Sequence, residues 1–583
     1  MKKEERVIET KPMYPVRQIR DLKDMLNQTL TLFGDRYAFE IKKSGVAETV
    51  KLTYKDYLHD INALGTALLN MGYKNKNIAI LSDNRYEWCL SYMATVCGVG
   101  IVVPIDKELL FNDINDILVR AEISMIFCDK RALAKLSGGK IPDGVVVVCF
   151  DKDEDDEQAL SFTKIVEAGA ALVEQGDRHY IDAEIDPEKM CTLLFTSGTT
   201  GLSKGVMLCH RNFCFEVMSA MSVLKIYPED CGISLLPLHH TFESSIMVFF
   251  APYCGAKVTF CEGFKYVLKN MKEFNPSVFV AVPLLLETVH RRILKEIKKK
   301  KNGEALFKIG KKICLFGSKV GLDFSKVFFK EIQQTFGGNM RLIICGGAPI
   351  DPQILEDFKA FGIQILFGYG LTECAPLAII NNDRLHLTKS FGEPLPGTQA
   401  KILDPDENGI GEICVKGGMV MLGYYQNQAA TDAVIDEDGF FHTGDLGYAD
   451  KDGHFYMAGR CKNVIVTANG KNIYPEELEY HLSLNPIVGE AMVYEDTDDK
   501  GQPIVKASIY PNDEEICAAL GKDSISEEDR EKAVKSAVSE VNEKMPSFKH
   551  IRSVSVRQKE FIKSTSQKIL RHRKENRGTG EEE

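Results

Sequence analysis

"TSGTTGLSKGV", Thr196–Val206, sets three glycines and one lysine among small hydroxyl side chains, between an apolar run, Cys191–Phe195, and a second apolar pattern that resumes at Val206. The flanks read as strand, so the loop sits at a strand end. Glycines let backbone N–H groups turn inward with no Cβ in the way, hydroxyls add donors, and Lys204 adds a full charge; such a concavity suits a polyphosphate. The Walker spacing G-x-x-x-x-G-K-[ST] is not met, because Gly198 and Gly201 stand too close and Ser203 precedes Lys204. The loop is a phosphate cradle of another kind. By itself, the same composition also suits a solvated surface turn.

Outward from the loop, the chain of 583 residues exceeds the size of a single hydrophobic core, so at least two domains are expected. From Tyr54 to Met71 apolar residues recur at Tyr57, Leu58, Ile61, Leu64, Leu68 and Met71, a helical stripe closed by Gly72. Asn77–Leu81 reads as a strand, a helical stretch follows around Trp88–Val96, and Gly100 leads into the β-branched run Ile101–Val103. This is βαβ winding, and the fold class is α/β, with parallel or mixed sheets under helices. Near the other end Ala533, Val534, Ala537, Val538 and Val541 mark a helix face, capped by Ser526 and Asp529 and closed by Pro546, between strands Ile504–Tyr510 and Val554–Val556. That small α+β unit is divided from the rest at Gly459–Arg460, giving domains 1–459 and 460–583. The tail "RHRKENRGTGEEE" is expected to fray.

A net charge of -11 argues against nucleic acid as a partner. The sixteen cysteines include no CxxC pair, which fits free thiols in a reducing compartment rather than a zinc or redox site. The start, MKKEERVIETK, has no apolar core of a leader, and no apolar stretch is long enough to span a bilayer, so a cytoplasmic location is expected. Arg291–Gly303 is the densest basic run, and its cluster Lys298–Lys301 is read as a solvated helix face, with contact to a membrane surface or to a coenzyme A phosphate as the lesser reading. No pattern addresses oligomeric state.

Four further motifs follow the loop in order: "FGYGLTE" (Phe367–Glu373), "FHTGDLGY" (Phe441–Tyr448), "GRCKNVIVTANGKNIYPEELE" (Gly459–Glu479) and "KSTSQKILR" (Lys563–Arg571). Together they resemble the adenylate-forming enzymes, a group that includes acyl-CoA synthetases, luciferases and peptide-synthetase adenylation domains. The resemblance covers essentially the whole chain.

It implies ATP, Mg2+ and coenzyme A as the cofactors. Thr196, Ser197, Gly198, Thr199, Thr200, Gly201 and Lys204 would cradle phosphates, joined by Thr372, while Glu373 would hold Mg2+. Gly347, Ala348 and Pro349, in "CGGAPI", would lie on one side of the adenine, with Tyr369 between Gly368 and Gly370 as its platform. Asp445 would accept from the ribose hydroxyls, and Arg460 would reach the sugar or phosphate. Lys568 would set a cation where charge develops in the transition state. The resemblance makes Lys462 the hinge and Gly470 a wall of the thiol tunnel.

His240, in "LPLHHTFE", is placed at the acyl site or the thiol tunnel, with His239 competing for the assignment. The stretches "LPLHHTFE" and "VPLLLETVHRRILKEI" lean toward the long-chain fatty acid branch, and "HHTFESS" lacks the aspartate that would hold an amino group. Gln567 and Ile562 depart from the family's glycine and proline in the lysine motif. The leading expectation is a fatty acid:coenzyme A ligase. An acyl carrier protein as thiol acceptor, oxygenation of the luciferase kind, and a nucleotide-binding protein without turnover are the alternatives.

Overall fold

A computed structural model of the chain describes residues 6–42, 48–196, 203–346, 350–384, 387, 389–466, 471–497, 503–563 and 569–579. The fold is α/β, with two large sheets, a four-stranded antiparallel sheet and a smaller C-terminal unit.

The expected helix spans Tyr54–Asn70. Thr53 and Asp56 exchange the two hydrogen bonds of a capping box at its start, which fixes where it begins. Tyr57, Leu58, Ile61, Leu64 and Leu68 are buried, whereas Met71, expected in the stripe, caps the helix and is 41% exposed. Gly72 takes a left-handed φ of 86°, the conformation that a glycine adopts without strain. The next strand, Asn77–Leu81, runs parallel to Ile101–Pro104 and Ile123–Cys128 in an eight-stranded sheet. On one side this sheet continues through Met190–Thr196, which forms an antiparallel hairpin with Lys204–Cys209, and then through the short edge strand Gly423–Tyr424.

A nine-stranded sheet carries the second motif. Lys257–Phe260, Cys231–Ser234, Val278–Ala281, Leu342–Gly346 and Gln364–Gly370 run parallel in that spatial order, and antiparallel Leu377–Ile380 follows. In a third sheet, Phe441–Ala449 pairs antiparallel with Phe455–Arg460. The C-terminal unit packs Pro475–Ser483 and Glu527–Lys544 on strands Val488–Thr497, Pro503–Pro511 and Ser553–Val556. Its core, which includes Ile465, Leu478, Val493, Ile509 and Val534, is a cluster of its own.

Residues 571–579, the described part of the tail, correct the expectation of fraying. Asn576 is fully buried, donates to the carbonyls of Ile562 (2.8 Å) and Leu570 (3.0 Å) and accepts from the N–H of Ile562 (2.7 Å). One buried amide thus makes three hydrogen bonds to the backbone on either side of the lysine loop, which fastens this polar stretch to the segment before it.

Candidate active site

The antiparallel register of Phe441–Ala449 against Phe455–Arg460 sets Asp445 opposite Arg460. Arg460 Nε lies 3.1 Å from Asp445 Oδ1, and the hydroxyl of Tyr369 donates to Oδ2 at 2.8 Å. Asp445 is nearly buried, so these two partners hold its carboxylate in one orientation. Tyr369 stacks one face on Phe391, with ring centroids 4.9 Å apart. Burial, then the charge of Asp445, raises its phenol far above the ordinary range, so Tyr369 stays a donor. The strand comes very close to its neighbour here: a Cβ on Gly370 would stand 1.8 Å from the carbonyl of Pro376. Only glycine fits.

Four residues along, Glu373 lies in the turn Thr372–Cys374. The Tyr424 hydroxyl donates to its Oε1 at 2.9 Å, and Lys204 Nζ sits 4.6 Å from the centre of the same tyrosine ring. Burial and the adjacent Glu373 raise the Tyr424 phenol as well. Tyr424 therefore links the lysine of the loop to the carboxylate of the second motif. Thr196, at the other foot of the loop, approaches the carbonyl of Lys204 (3.5 Å), and Arg120 holds the backbone of Ser203 at 2.7 Å. Ser197, Gly198, Thr199, Thr200 and Gly201 lie outside the described residues, as do Gly347, Ala348, Pro349, Gly470, Gln567 and Lys568. The half-buried Glu373 carboxylate is a hard oxygen donor of the kind that Mg2+ takes, and Lys204 supplies the positive charge that a triphosphate needs beside it.

The two histidines have different settings. Their ring centroids lie 4.3 Å apart. His239 Nε2 approaches Asp106 at 3.6 Å, but burial, then His240 and Lys107, push its pKa well down, so the ring is neutral. His240 precedes helix Thr241–Ser244, and its carbonyl accepts from Ser244. Glu243, in the same turn, is buried and pushed up to about 8; it accepts from Leu235 N–H at 2.9 Å, while Oε2 has no hydrogen-bond partner among the described residues.

Behind Pro376 a small cavity, with room for about one water molecule, is lined by Phe242, Ile246, Phe250, Ile344, Leu377 and Ile380. Glu216 and Ser245 reach it, and the Ser245 hydroxyl lies 3.0 Å from Glu216 and 3.2 Å from the carbonyl of Ala375. Burial raises the Glu216 carboxyl well above the usual carboxylate range. An apolar wall of this kind suits an aliphatic chain, and a chain of any length enters only when these side chains move.

In the C-terminal unit Lys563 bridges Ile569 across the five residues that end at Lys568, and Lys563 pairs with Glu490. Arg571 donates to the carbonyl of Val493 (2.9 Å) and pairs with Glu479. Arg460, Cys461 and Lys462 are exposed, the last two in the turn Cys461–Asn463. Asn463 donates to Glu476 at 2.5 Å, and Glu476 Oε1 lies 3.9 Å from Arg571. The turn after the third sheet and the base of the lysine loop therefore share one carboxylate. Sequence reasoning missed Tyr424, Phe391, Glu216, Glu476 and Asn576; the doublet in "LGYYQ" was a signal for the first.

Residues 27–425 match the family model described as AMP-binding enzyme, and residues 462–577 match the AMP-binding enzyme C-terminal domain. The chain belongs to the AMP-binding enzyme family. Its relatives include long-chain-fatty-acid–CoA ligase 5 of Rattus norvegicus, 30% identical over 88% of this chain and 80% of that protein. Long-chain-fatty-acid–CoA ligase 1 of Homo sapiens is 28% identical over 84% of this chain and 74% of that protein. Among solved structures, ATP-bound MatB from Rhodopseudomonas palustris superposes with a TM-score of 0.71 at 22% identity, covering 95% of this chain and 98% of that one. A Mycobacterium tuberculosis fatty acyl CoA synthetase superposes with a TM-score of 0.65 at 20% identity, covering 94% and 97%. These two likenesses bear on the fold, which is that of adenylate-forming enzymes.

Proposed function

We propose that this chain is an AMP-forming acid–thiol ligase that activates a long-chain fatty acid with ATP and transfers it to coenzyme A. The observation that carries the reading is one short segment, Tyr369 to Glu373, whose ends meet Asp445 with Arg460 and Tyr424 with Lys204. The names of the curated relatives support the acyl class.

In the first half-reaction a carboxylate oxygen of the fatty acid bonds to the α-phosphorus of ATP, and the bond to the β-phosphate oxygen breaks, releasing pyrophosphate. Tyr369 offers its ring to the adenine. The fixed Asp445 carboxylate accepts from the ribose hydroxyls, and Arg460 steadies sugar and carboxylate. Lys204 and Thr196 bind phosphate oxygens as the charge shifts toward pyrophosphate. Glu373 would hold Mg2+, whose charge neutralises the triphosphate, and Thr372 donates to the phosphate oxygens with Thr196. Lys568 bonds the reacting carboxylate and α-phosphate, which aligns the attack.

In the second half-reaction the sulfur of the thiol, its proton released to solvent, bonds to the acyl carbon, and the bond from that carbon to the phosphate oxygen breaks, so that AMP leaves with the electron pair. The division at Gly459–Arg460 lets the unit 460–583 turn about Lys462, removing Lys568 and presenting Gly470 to the thiol. His240 serves the acyl site or the thiol tunnel, with His239 beside it as the competing residue. The location is cytoplasmic.

The test is pyrophosphate release across fatty acids of rising length, with coenzyme A, with a carrier protein or with no thiol, for wild type and Lys568→Ala. Acid-dependent release, lost in the variant and multi-turnover only with coenzyme A, is the expected result. Turnover with the carrier protein alone would replace the acceptor, and background release with every acid while ATP still binds would remove the enzyme reading.

A further inference from the structure

Helix Gly303–Lys319 has two apolar faces, and among the described residues one is buried and the other exposed. Gly303, Gly310, Cys314 and Gly317 form the inner face and are buried. The approach there is close: a Cβ on Gly310 would lie 3.1 Å from the ring of Phe329, and one on Gly317 would lie 2.7 Å from the carbonyl of Leu322. Lys311 Nζ also reaches Asp357 at 2.6 Å, which fixes the rotation of the helix about its axis.

The outer face is therefore set by the fold. Leu306, Ile309, Ile313 and Phe316 recur at helical spacing along it, and Leu306 and Phe316 are 63% and 69% exposed. The stripe continues past the helix through Val320, Leu322 and Val327, the last 74% exposed. Scattered apolar side chains on a surface are ordinary, but a continuous stripe marks a place where something docks. Along one edge of the stripe run Lys308, Lys312 and Lys319, all exposed.

We propose that this face docks on the surface of an anionic lipid bilayer, with the stripe at the acyl boundary and the lysines among the headgroups. Charge selects this occupant. Residues 291–330 hold thirteen lysines and arginines against three acids, in a chain whose net charge is -11, so the remainder is strongly acidic. An anionic surface attracts this face and repels the others, which orients the molecule. A second copy would bring like charges together across a symmetric contact. No helix among the described residues is long and apolar enough to cross a membrane, so the helix lies in the interface plane. For a ligase of long-chain fatty acids, the substrate dissolves in that bilayer.

The test uses the full chain and sedimentation with vesicles of phosphatidylcholine alone or with added phosphatidylserine. Binding is expected with the anionic vesicles only, and it should weaken as salt rises from about 0.1 M to about 1 M. The triple variant Lys308→Gln, Lys312→Gln, Lys319→Gln should lower the partition about a hundredfold. The pair Ile309→Ser and Phe316→Ser should lower it at least about tenfold with an unchanged melting temperature, since both side chains face outward. Failure of the wild type to bind, equal binding to neutral vesicles, variants that bind like the wild type, or a concentration-dependent dimer that these variants dissolve would each overturn the proposal. Sedimentation needs no catalysis, so a negative result leaves the ligase reading standing, and a failed ligase assay leaves the docking face standing.

Discussion

Tyr424 serves two charges with two parts of one side chain: its ring lies under the Lys204 ammonium and its hydroxyl orients Glu373. Tyr424→Phe keeps the ring and removes one hydrogen bond to a charged acceptor, an interaction worth about 1.5–3 kcal/mol. Steady-state kinetics should show kcat/KM for ATP lower by about tenfold or more, with a changed Mg2+ dependence; unchanged values would mean that Glu373 needs no such support. The residue was hidden from sequence reasoning because its partners lie across an edge pairing, Tyr424 with Val206, that joins segments far apart in the chain. Asp445 and Arg460 were legible through their motifs, but their mutual contact came from strand register. Glu243 carries a pH prediction. Burial raises its pKa from 4.5 to about 8, so between these values the folded chain keeps a proton that the unfolded chain has released. This group's contribution to stability is greatest below the lower value and falls as pH rises toward the upper one. Melting temperature measured from about pH 5 to about pH 9 should therefore drop less steeply in Glu243→Gln than in wild type. Equal slopes would place the titration elsewhere.

At the scale of elements, helices with strong local signals were the most legible. Thr53 with Asp56, and Ser526 with Asp529, form capping boxes, and both helices start where those residues put them. The C-terminal tail was not legible, since its composition is that of solvated chain and the deciding feature is one asparagine that folds back. Asn576 ties Ile562 to Leu570, and these two residues flank the lysine loop. Asn576→Ala removes the acceptor of the Ile562 N–H, while the carbonyls of Ile562 and Leu570 keep the N–H groups of Leu570 and Arg573 (both 3.0 Å), so the loss is at most about 1–3 kcal/mol. We expect adenylation kcat to fall about tenfold or more, from misplacement of Lys568, with KM for ATP within about twofold. Hydrogen exchange at the Ile562 amide should accelerate in the same variant. A loss of ATP affinity equal to the loss of kcat would show that the tail acts on the nucleotide site instead.

At the scale of the molecule, the parallel winding could be read from alternating β-branched runs and helical stripes, but the spatial order of the strands could not, because it depends on contacts between distant segments. What the order produces is a set of separate cores, and this has a consequence for unfolding. Trp88, the only tryptophan, is 1% exposed in the large core and stacks on Tyr92 at 5.3 Å. Val534 is fully buried in the cluster of the C-terminal unit, which shares no residue with the core around Trp88. If units 1–459 and 460–583 melt as separate cooperative bodies, tryptophan emission follows the first and is blind to the second. Val534→Ala removes two buried methyl groups, a loss of about 2 kcal/mol with its cavity. For a unit of this size the corresponding shift is about 5–10 °C. Calorimetry should show one transition lowered by that amount while the Trp88 emission midpoint stays in place. A common shift of both signals would mean that the two cores unfold together, and the boundary at Gly459–Arg460 would then mark a turn of the chain and not a joint between units.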